Sequence, residues 1–519
     1  MRPSKLILAI GCLASAGAWA DTPFFKPISL PDHTYTGGWE HFVGGGVATF
    51  DCDGDLLPEL YVAGGTSAAI LLRNTTGKPG NPLSFRHATP SALAMTGVIG
   101  AYPLDIDSDG RMDLAILRVG ENRLMRGGPD CSFAPFPETL GFSSSDRWTT
   151  AFSATWEPGQ TLPTLAFGNY VDRTNPKGPF GTCDVNLLYR PSGKHYGRPR
   201  LLSPGYCALS MLFSDWGRKG RADLRISNDR HYYVKDGEEQ MWAMEHPPRL
   251  YTKDDGWRSY SLWGMGIASR DITGDGLPEV FLSSMADQKL QMLAPTANGP
   301  TFADVTYDFG TTAQRPYTGD DGRPSTGWHI AFGDAQNDGL DDVFIAKGNV
   351  QEMPGLAMRD PNNLLVQQAN GRFSEAGLEA GLADMERGRG AAFEDLNLDG
   401  KADIVVVNRA APMRVYENQT VTTGNWLLLD IRQPAPNINA VGAWLEIADG
   451  ARRLSREITV GGGHASGAAS LQHFGLGQVK TVKLRVIWPD HTVSDWVTVK
   501  PNQMLRLMRQ NNKLSVSPL

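Results

Sequence analysis

Histidine and cysteine are scarce in this 519-residue chain, with 10 and 5 copies, and the scarcity limits the chemistry on offer. No HExxH, GxSxG, GxxxxGK[ST] or CxxCH sequence is present, so zincin, serine-hydrolase, P-loop and haem-attachment signatures are missing. Basic clusters are missing too: 49 Lys plus Arg face 56 Asp plus Glu, which argues against a nucleic-acid partner. After Asp21 no apolar run approaches the 18 or so residues that a membrane-spanning helix needs.

The one apolar run lies at the start. Arg2 and Lys5 precede a stretch from Leu6 to about Ala18, and Ala18-Trp19-Ala20 has the small-x-small form of a signal-peptidase site. This predicts export to a periplasm or beyond the cell, with residues 1–20 removed and the formal charge falling from −7 to −9. Four cysteines then remain, Cys52, Cys131, Cys183 and Cys207. In an oxidising compartment they can form two disulfides in three connectivities, and Cys183 with Cys207 is the pair nearest in sequence.

What is abundant is glycine, 58 residues without triplet periodicity, together with a recurring acidic loop. The copies read DCDGDLLPE, DIDSDGRMD, DITGDGLPE, DAQNDGLDD and DLNLDGKAD. Loop positions 1, 3, 5 and 9 hold Asp51, Asp53, Asp55 and Glu59; Asp105, Asp107, Asp109 and Asp113; Asp271, Thr273, Asp275 and Glu279; Asp334, Gln336, Asp338 and Asp342; and Asp395, Asn397, Asp399 and Asp403. An apolar, β-branched run follows each copy. Two decayed copies keep the register: DWGRKGRAD from Asp215, with Lys219 at position 5, and the segment from Trp156 to Thr164, which has no ligand left.

Loop starts fall at 51, 105, 156, 215, 271, 334 and 395. A period of about 57 residues with short strands and many turns suits one four-stranded sheet per repeat, and hence an all-β, seven-bladed β-propeller over residues 21–420. Hard oxygen ligands around a sharp turn suit Ca²⁺ better than a transition metal. The expectation is about five structural Ca²⁺ sites, no organic cofactor, and no metal at the Lys219 loop. The repeats resemble the FG-GAP/VCBS calcium-binding repeats of integrin α-subunits.

Residues 421–519 lack the acidic loop and alternate as short strands, which predicts a small, separate β-sandwich. Asn439-Ala440-Val441-Gly442-Ala443, Gly461-Gly462-Gly463-His464-Ala465-Ser466, His473-Phe474-Gly475-Leu476-Gly477, Trp488-Pro489-Asp490 and Pro501-Asn502-Gln503 resemble the ASPIC/UnbV domain in order and spacing. His491 stands where that family's turn has Gly. With the repeats, the chain is similar to bacterial relatives of cartilage acidic protein, a resemblance that implies no assigned chemistry. His464 and His473, nine residues apart, read as backbone-bonded turn residues before they read as metal ligands.

The residue five before each loop start is Gly46, Gly100, Ala151, Ser210, Gly266, His329 or Gly390. Six are small, as a crowded axis requires, and His329 is the exception. With Trp328, Trp263, Arg387, Arg389, Arg147 and His41 it defines a candidate funnel mouth for an anionic or sugar-like ligand, against the alternative that these side chains plug the channel. The functional expectation is a monomeric, exported binding or adhesion protein with a protein or glycan ligand and no catalytic residue. The alternative is an extracytoplasmic enzyme or metalloprotein with its site at that mouth.

Overall fold

The computed structural model describes residues 22–229, 237–294, 299–319, 322–421, 424–450, 452–511 and 513–519. The expected signal segment, residues 1–20, lies outside the described residues. No described helix is long and apolar enough to cross a membrane.

The chain is all-β and built from many small sheets. Seven antiparallel four-strand units follow one another, with first strands Val47–Phe50, Val98–Leu104, Arg147–Thr155, Ala208–Ser214, Gly264–Arg270, Gly327–Gly333 and Gly388–Glu394. The second and third units are joined where Arg147 and Trp148 pair with Gly120 and Val119. The outermost strand of the seventh unit is the N-terminal Phe25–Pro27, which pairs with Arg414–Asn418.

Each acidic loop joins the first strand of its unit to the second. The second strands are the apolar runs seen in the sequence, and they are buried on both faces: all six residues of Asp342–Lys347 and of Asp403–Asn408 are inaccessible. Strands sandwiched this way need no hydrophobic–polar alternation. First strands of successive units lie side by side. Backbone N–H groups of Gly45 and Gly46 donate to Ile99 O at 2.9 Å, the Thr150 hydroxyl to Ala208 O at 2.5 Å, and the N–H of Gly390 to Gly45 O at 3.1 Å, so the seventh unit lies against the first.

The C-terminal region holds two further sheets. Asn425–Arg432 lies between Gln472–Gly477 and Gln503–Gln510, and Lys513–Pro518 adds an edge strand. Trp444–Ala448 lies between Arg453–Glu457 and Val482–Ile487, with Val497–Val499 outside. The strand Arg453–Glu457 stops at Glu457. From there the chain leaves this region and enters the space among the seven first strands. Gly467–Ala469 then pairs in parallel with Val47–Phe50 as a fifth strand of the first sheet.

The C-terminal region and the repeats share packing. One hydrophobic core runs from Phe152 and Trp328 in the repeats, past Ala465, to Leu445 and Trp488. His491 takes φ 64°, so the Trp-Pro-Asp turn keeps a left-handed residue without glycine, and the imidazole packs on Gly220 of the decayed fourth loop.

Candidate functional site

All six recognisable loops share one backbone shape. Position 4 is left-handed at Gly54, Ser108, Arg218, Gly274, Asn337 and Leu398, and position 6 at Leu56, Gly110, Gly220, Gly276, Gly339 and Gly400. The position-1 carboxylate folds the turn by accepting N–H bonds: Asp105 from Asp109 and Gly110, Asp271 from Gly274 and Gly276, Asp395 from Asp399 and Gly400. The position-9 carboxylate accepts the N–H of position 2 at 2.8 to 3.0 Å in all five intact copies. Where it is Asp, its second oxygen accepts a further N–H, from Gly127, Gln367 or Asn418. Position 9 thus has a structural duty whether or not a cation is bound.

Burial disfavours the charged form of these carboxylates. Desolvation pushes Glu59, Asp113, Glu279 and Asp395 up to about 8, and Asp105 and Asp271 to about 6; Asp334, Asp342 and Asp403 are also raised well above the usual carboxylate range. In the first two loops three ligand oxygens lie within 4.8 Å of one another, from Asp51, Asp53 and Glu59 and from Asp105, Asp107 and Asp113. Glu59 Oε1 and Asp107 Oδ1 are buried without a hydrogen bond. That donor set fits a hard divalent cation, which would offset the mutual repulsion. Arginines supply part of the compensation: Arg73 pairs with Asp53, and Arg126 with Asp107 and Asp109.

The fourth loop keeps the turn without the acidic set. Asp215 accepts the N–H groups of Lys219 and Gly220, Lys219 Nζ sits over the Trp216 ring at 5.5 Å, and Arg221 occupies Asp223 at 2.8 Å. Arg221, not Lys219, is the cation facing position 9. Cys52, at position 2 of the first loop, is bonded to Cys131 of the second unit, and Cys183 is bonded to Cys207.

The C-terminal region docks on the loop face. Gly477 N–H donates to Asn337 O at 2.7 Å, His473 Nε2 bonds Gly400 O at 2.9 Å, and Asn437 N–H donates to the Ser108 hydroxyl at 3.0 Å. Glu457 accepts from Ser214 and Asp215, and Arg218 pairs with Glu446 at 2.6 Å. A cleft of about 620 Å³ remains between the first two loops and the C-terminal sheets, lined by Asp51, Asp105, Trp156 and Arg506 among others.

From this docked position residues 460–467 enter the axis. Gly462 and Gly463 N–H groups donate to Met211 O and Ile267 O, Ser153 Oγ to Val460 O, and Val47 N–H to Ser466 Oγ. His464 is fully buried; its N–H donates to His329 Nδ1 at 3.0 Å, and its Nε2 accepts the Gly44 N–H at 3.1 Å. The small residues of the first strands are explained by this segment. A Cβ on Gly46 or Gly100 would stand 1.8 or 1.9 Å from the Ala465 carbonyl oxygen.

The candidate funnel residues divide accordingly. His329, Trp328 and Arg389 are together, but around the inserted segment: Trp328 and Arg389 are fully buried, and the Arg389 guanidinium lies 4.1 Å over the Trp328 ring. A space of about 170 Å³ lies beside His329 on the loop side. Arg147 is held apart by Asp184. Arg387 and His41 lie at the opposite end of the sheets, where Arg387 donates to Gln351 Oε1 at 2.9 Å and His41 Nε2 is buried without a hydrogen bond. Trp263, half-buried, packs against the shared core. Sequence reasoning missed Arg409 and Gln351 of this end, which no motif marks.

Residues 433–514 match the family "ASPIC and UnbV". The C-terminal region is an ASPIC/UnbV domain. The chain is also weakly homologous to cartilage acidic protein 1, with 29% identity to the Mus musculus protein over 156 residues and 28% to the Homo sapiens protein over 174. These stretches cover 30% and 33% of this chain but only 22% and 24% of those proteins. Among solved structures, BBS1N in complex with ARL6DN aligns over 77% of this chain and 98% of its own, at 9% identity and a TM-score of 0.43. An Agrocybe aegerita lectin that recognises non-reducing terminal N-acetylglucosamine aligns over 70% and 88%, at 16% and 0.38.

Proposed function

We propose that this is an exported, calcium-stabilised, seven-bladed β-propeller of FG-GAP/VCBS type that works as a binding or adhesion protein for an external protein or glycan. Supporting the propeller are seven four-strand units of equal strand order whose first strands neighbour one another in sequence, the seventh against the first, with the N-terminal strand completing the last unit. A ring closed by strands from both ends of the repeat region holds its last blade against opening.

The observation that carries the calcium reading is the convergence of Asp51, Asp53 and Glu59, and of Asp105, Asp107 and Asp113, with buried carboxylate oxygens left without hydrogen bonds. In each intact loop positions 1, 3, 5 and 9 would hold the ion, and its charge would offset the repulsion that burial imposes. The two disulfides favour an oxidising, extracytoplasmic setting.

Binding is favoured over catalysis because the histidines on the axis are engaged and covered: His329 Nδ1 accepts the His464 N–H, and His464 is fully buried with its Nε2 accepting the Gly44 N–H. With the loop face occupied by the ASPIC/UnbV domain, the opposite face is the one open to a partner. The test is a glycan and protein array probed with the intact chain in calcium and again after chelation. Binding that is lost on chelation and restored by calcium is expected. No binding, with turnover of a small substrate instead, would contradict the reading.

A further inference from the structure

The open face carries three arginines with no acid between them. Arg387 precedes the first strand of the seventh sheet, Arg389 is that strand's second residue, and Arg409 follows the second strand. Among the described residues none of the three pairs with a carboxylate; Glu352 and Glu386, next to the cluster in sequence, are exposed and form no ion pair with it. Arg389, fully buried, donates only to the backbone oxygens of Phe42, Gly388, Asn349 and Val350. Arg387 and Arg409 converge on one neutral atom, Gln351 Oε1, where two guanidinium groups ordinarily face a carboxylate. Arg409 is 4% exposed, and its Nε is buried without a hydrogen bond.

Buried cations left to neutral acceptors are costly, and an arriving anion offsets that cost. An aromatic shelf adjoins them. The Arg409 guanidinium lies 4.6 Å from the Phe42 ring, and Trp39 packs edge-on to the same ring at 6.1 Å and to Trp148 at 5.4 Å. Trp39 is held in place yet 40% exposed, as a platform for a sugar ring would be.

We propose that this face binds an acidic glycan, with a uronate carboxylate taken by Arg387 and Arg409 beside Gln351 and the sugar ring stacked on Trp39. This rests on the reading of the protein as a binding module.

The test is titration calorimetry on the intact calcium-loaded chain with oligoglucuronate, its methyl ester and sodium sulfate. Oligoglucuronate should bind, more weakly as salt rises, and the ester at least about tenfold more weakly. Gln351→Glu should supply the missing carboxylate internally, abolishing binding while raising the melting temperature. Should that variant misfold, Arg387→Ala, at a half-buried site, should lower affinity by about tenfold or more. Trp39→Ala should weaken the oligosaccharide and leave sulfate unchanged. Equal affinity for acid and ester, or binding unaffected in the folded arginine or glutamine variant, would overturn the site. Sulfate binding as tightly as the oligosaccharide would overturn the glycan. A different ligand from the array that binds Gln351→Glu normally would sink this site and leave the binding reading standing, whereas cleavage of the oligosaccharide would do the reverse.

Discussion

The backbone N–H of His464 donates to Nδ1 of His329 at 3.0 Å, across 135 positions of sequence and between two regions that read as independent. That bond fixes the His329 tautomer with its proton on Nε2. It also marks where the ASPIC/UnbV domain reaches the axis of the repeats, so the domain acts as a closing element and not as an appendage.

Displacing the inserted segment should therefore destabilise the repeats themselves. Gly46→Val or Gly100→Val places a side chain where the Ala465 carbonyl stands, an overpacking error costing about 1–3 kcal/mol. Differential scanning calorimetry should give one transition at lower temperature, with proteolysis newly admitted between Gly461 and Ser466. A variant that melts like the wild type would contradict the insertion.

The buried histidines set one pH limb. Burial pushes His329 and His473 down to about 4 and His464 to about 3, from 6.5. The unfolded chain binds these protons more tightly, so the contribution is complete above pH 6.5 and is lost as pH falls toward 4. His473→Gln, which can still donate to Gly400 O, should lose up to about 2 kcal/mol less than the wild type between pH 7 and 5. Parallel denaturant curves for the two proteins across that range would refute it.

Glu457 should act in the opposite direction. Desolvation pushes its carboxyl up to about 8, so its contribution is complete below pH 4.5 and is lost as pH rises through 8. Glu457→Gln should gain stability relative to the wild type between pH 6 and 9, read from melting temperatures at each pH. A constant difference would show that burial at the docking face does not govern its titration.

Cys52–Cys131 ties the first acidic loop to the neighbouring unit across 79 positions. Cys131→Ser should cost about 2–4 kcal/mol and weaken calcium retention at the first loop. Unchanged stability with full retention would show that the loop is held by its carboxylate bonds alone.

Much of this was legible in advance, for identifiable reasons. The loops announced themselves because Asp at position 1, left-handed residues at 4 and 6 and a carboxylate at 9 fold the same turn, and all five intact copies keep the two carboxylates while four have Gly at 6, Leu56 being the exception. Small residues at Gly46, Gly100 and Gly390 signalled crowding on the axis, but not its source. The crowding comes from Gly461 to Ser466, whose glycines read locally as a turn and serve instead to pass a backbone between strands 300 or more positions away in some cases, such as Ser153 and Val460. Arg409 and Gln351 were invisible because nothing in a strand end announces what a neighbouring sheet brings to it.

Metal at the acidic loops should also be separable from their turn-forming role. Asp338→Ala removes a position-5 carboxylate and the one bond it accepts from the Leu340 N–H, but leaves the bonds that Asp334 and Asp342 accept from the loop backbone. Its melting temperature should fall by several degrees in calcium and by distinctly less in chelator, where only the bond to the Leu340 N–H is lost. Equal curves in calcium would exclude an ion at that loop.

Calcium bound at the intact loops is the central claim, and the number of ions per chain tests it most directly. Elemental analysis by mass spectrometry of the purified mature chain should find about five Ca²⁺ per chain, one for each intact loop, with no stoichiometric transition metal. A chain free of calcium after equilibration with it, or one carrying copper, iron, zinc or manganese in stoichiometric amount, would contradict the calcium-stabilised scaffold and return the histidines to the centre of the problem.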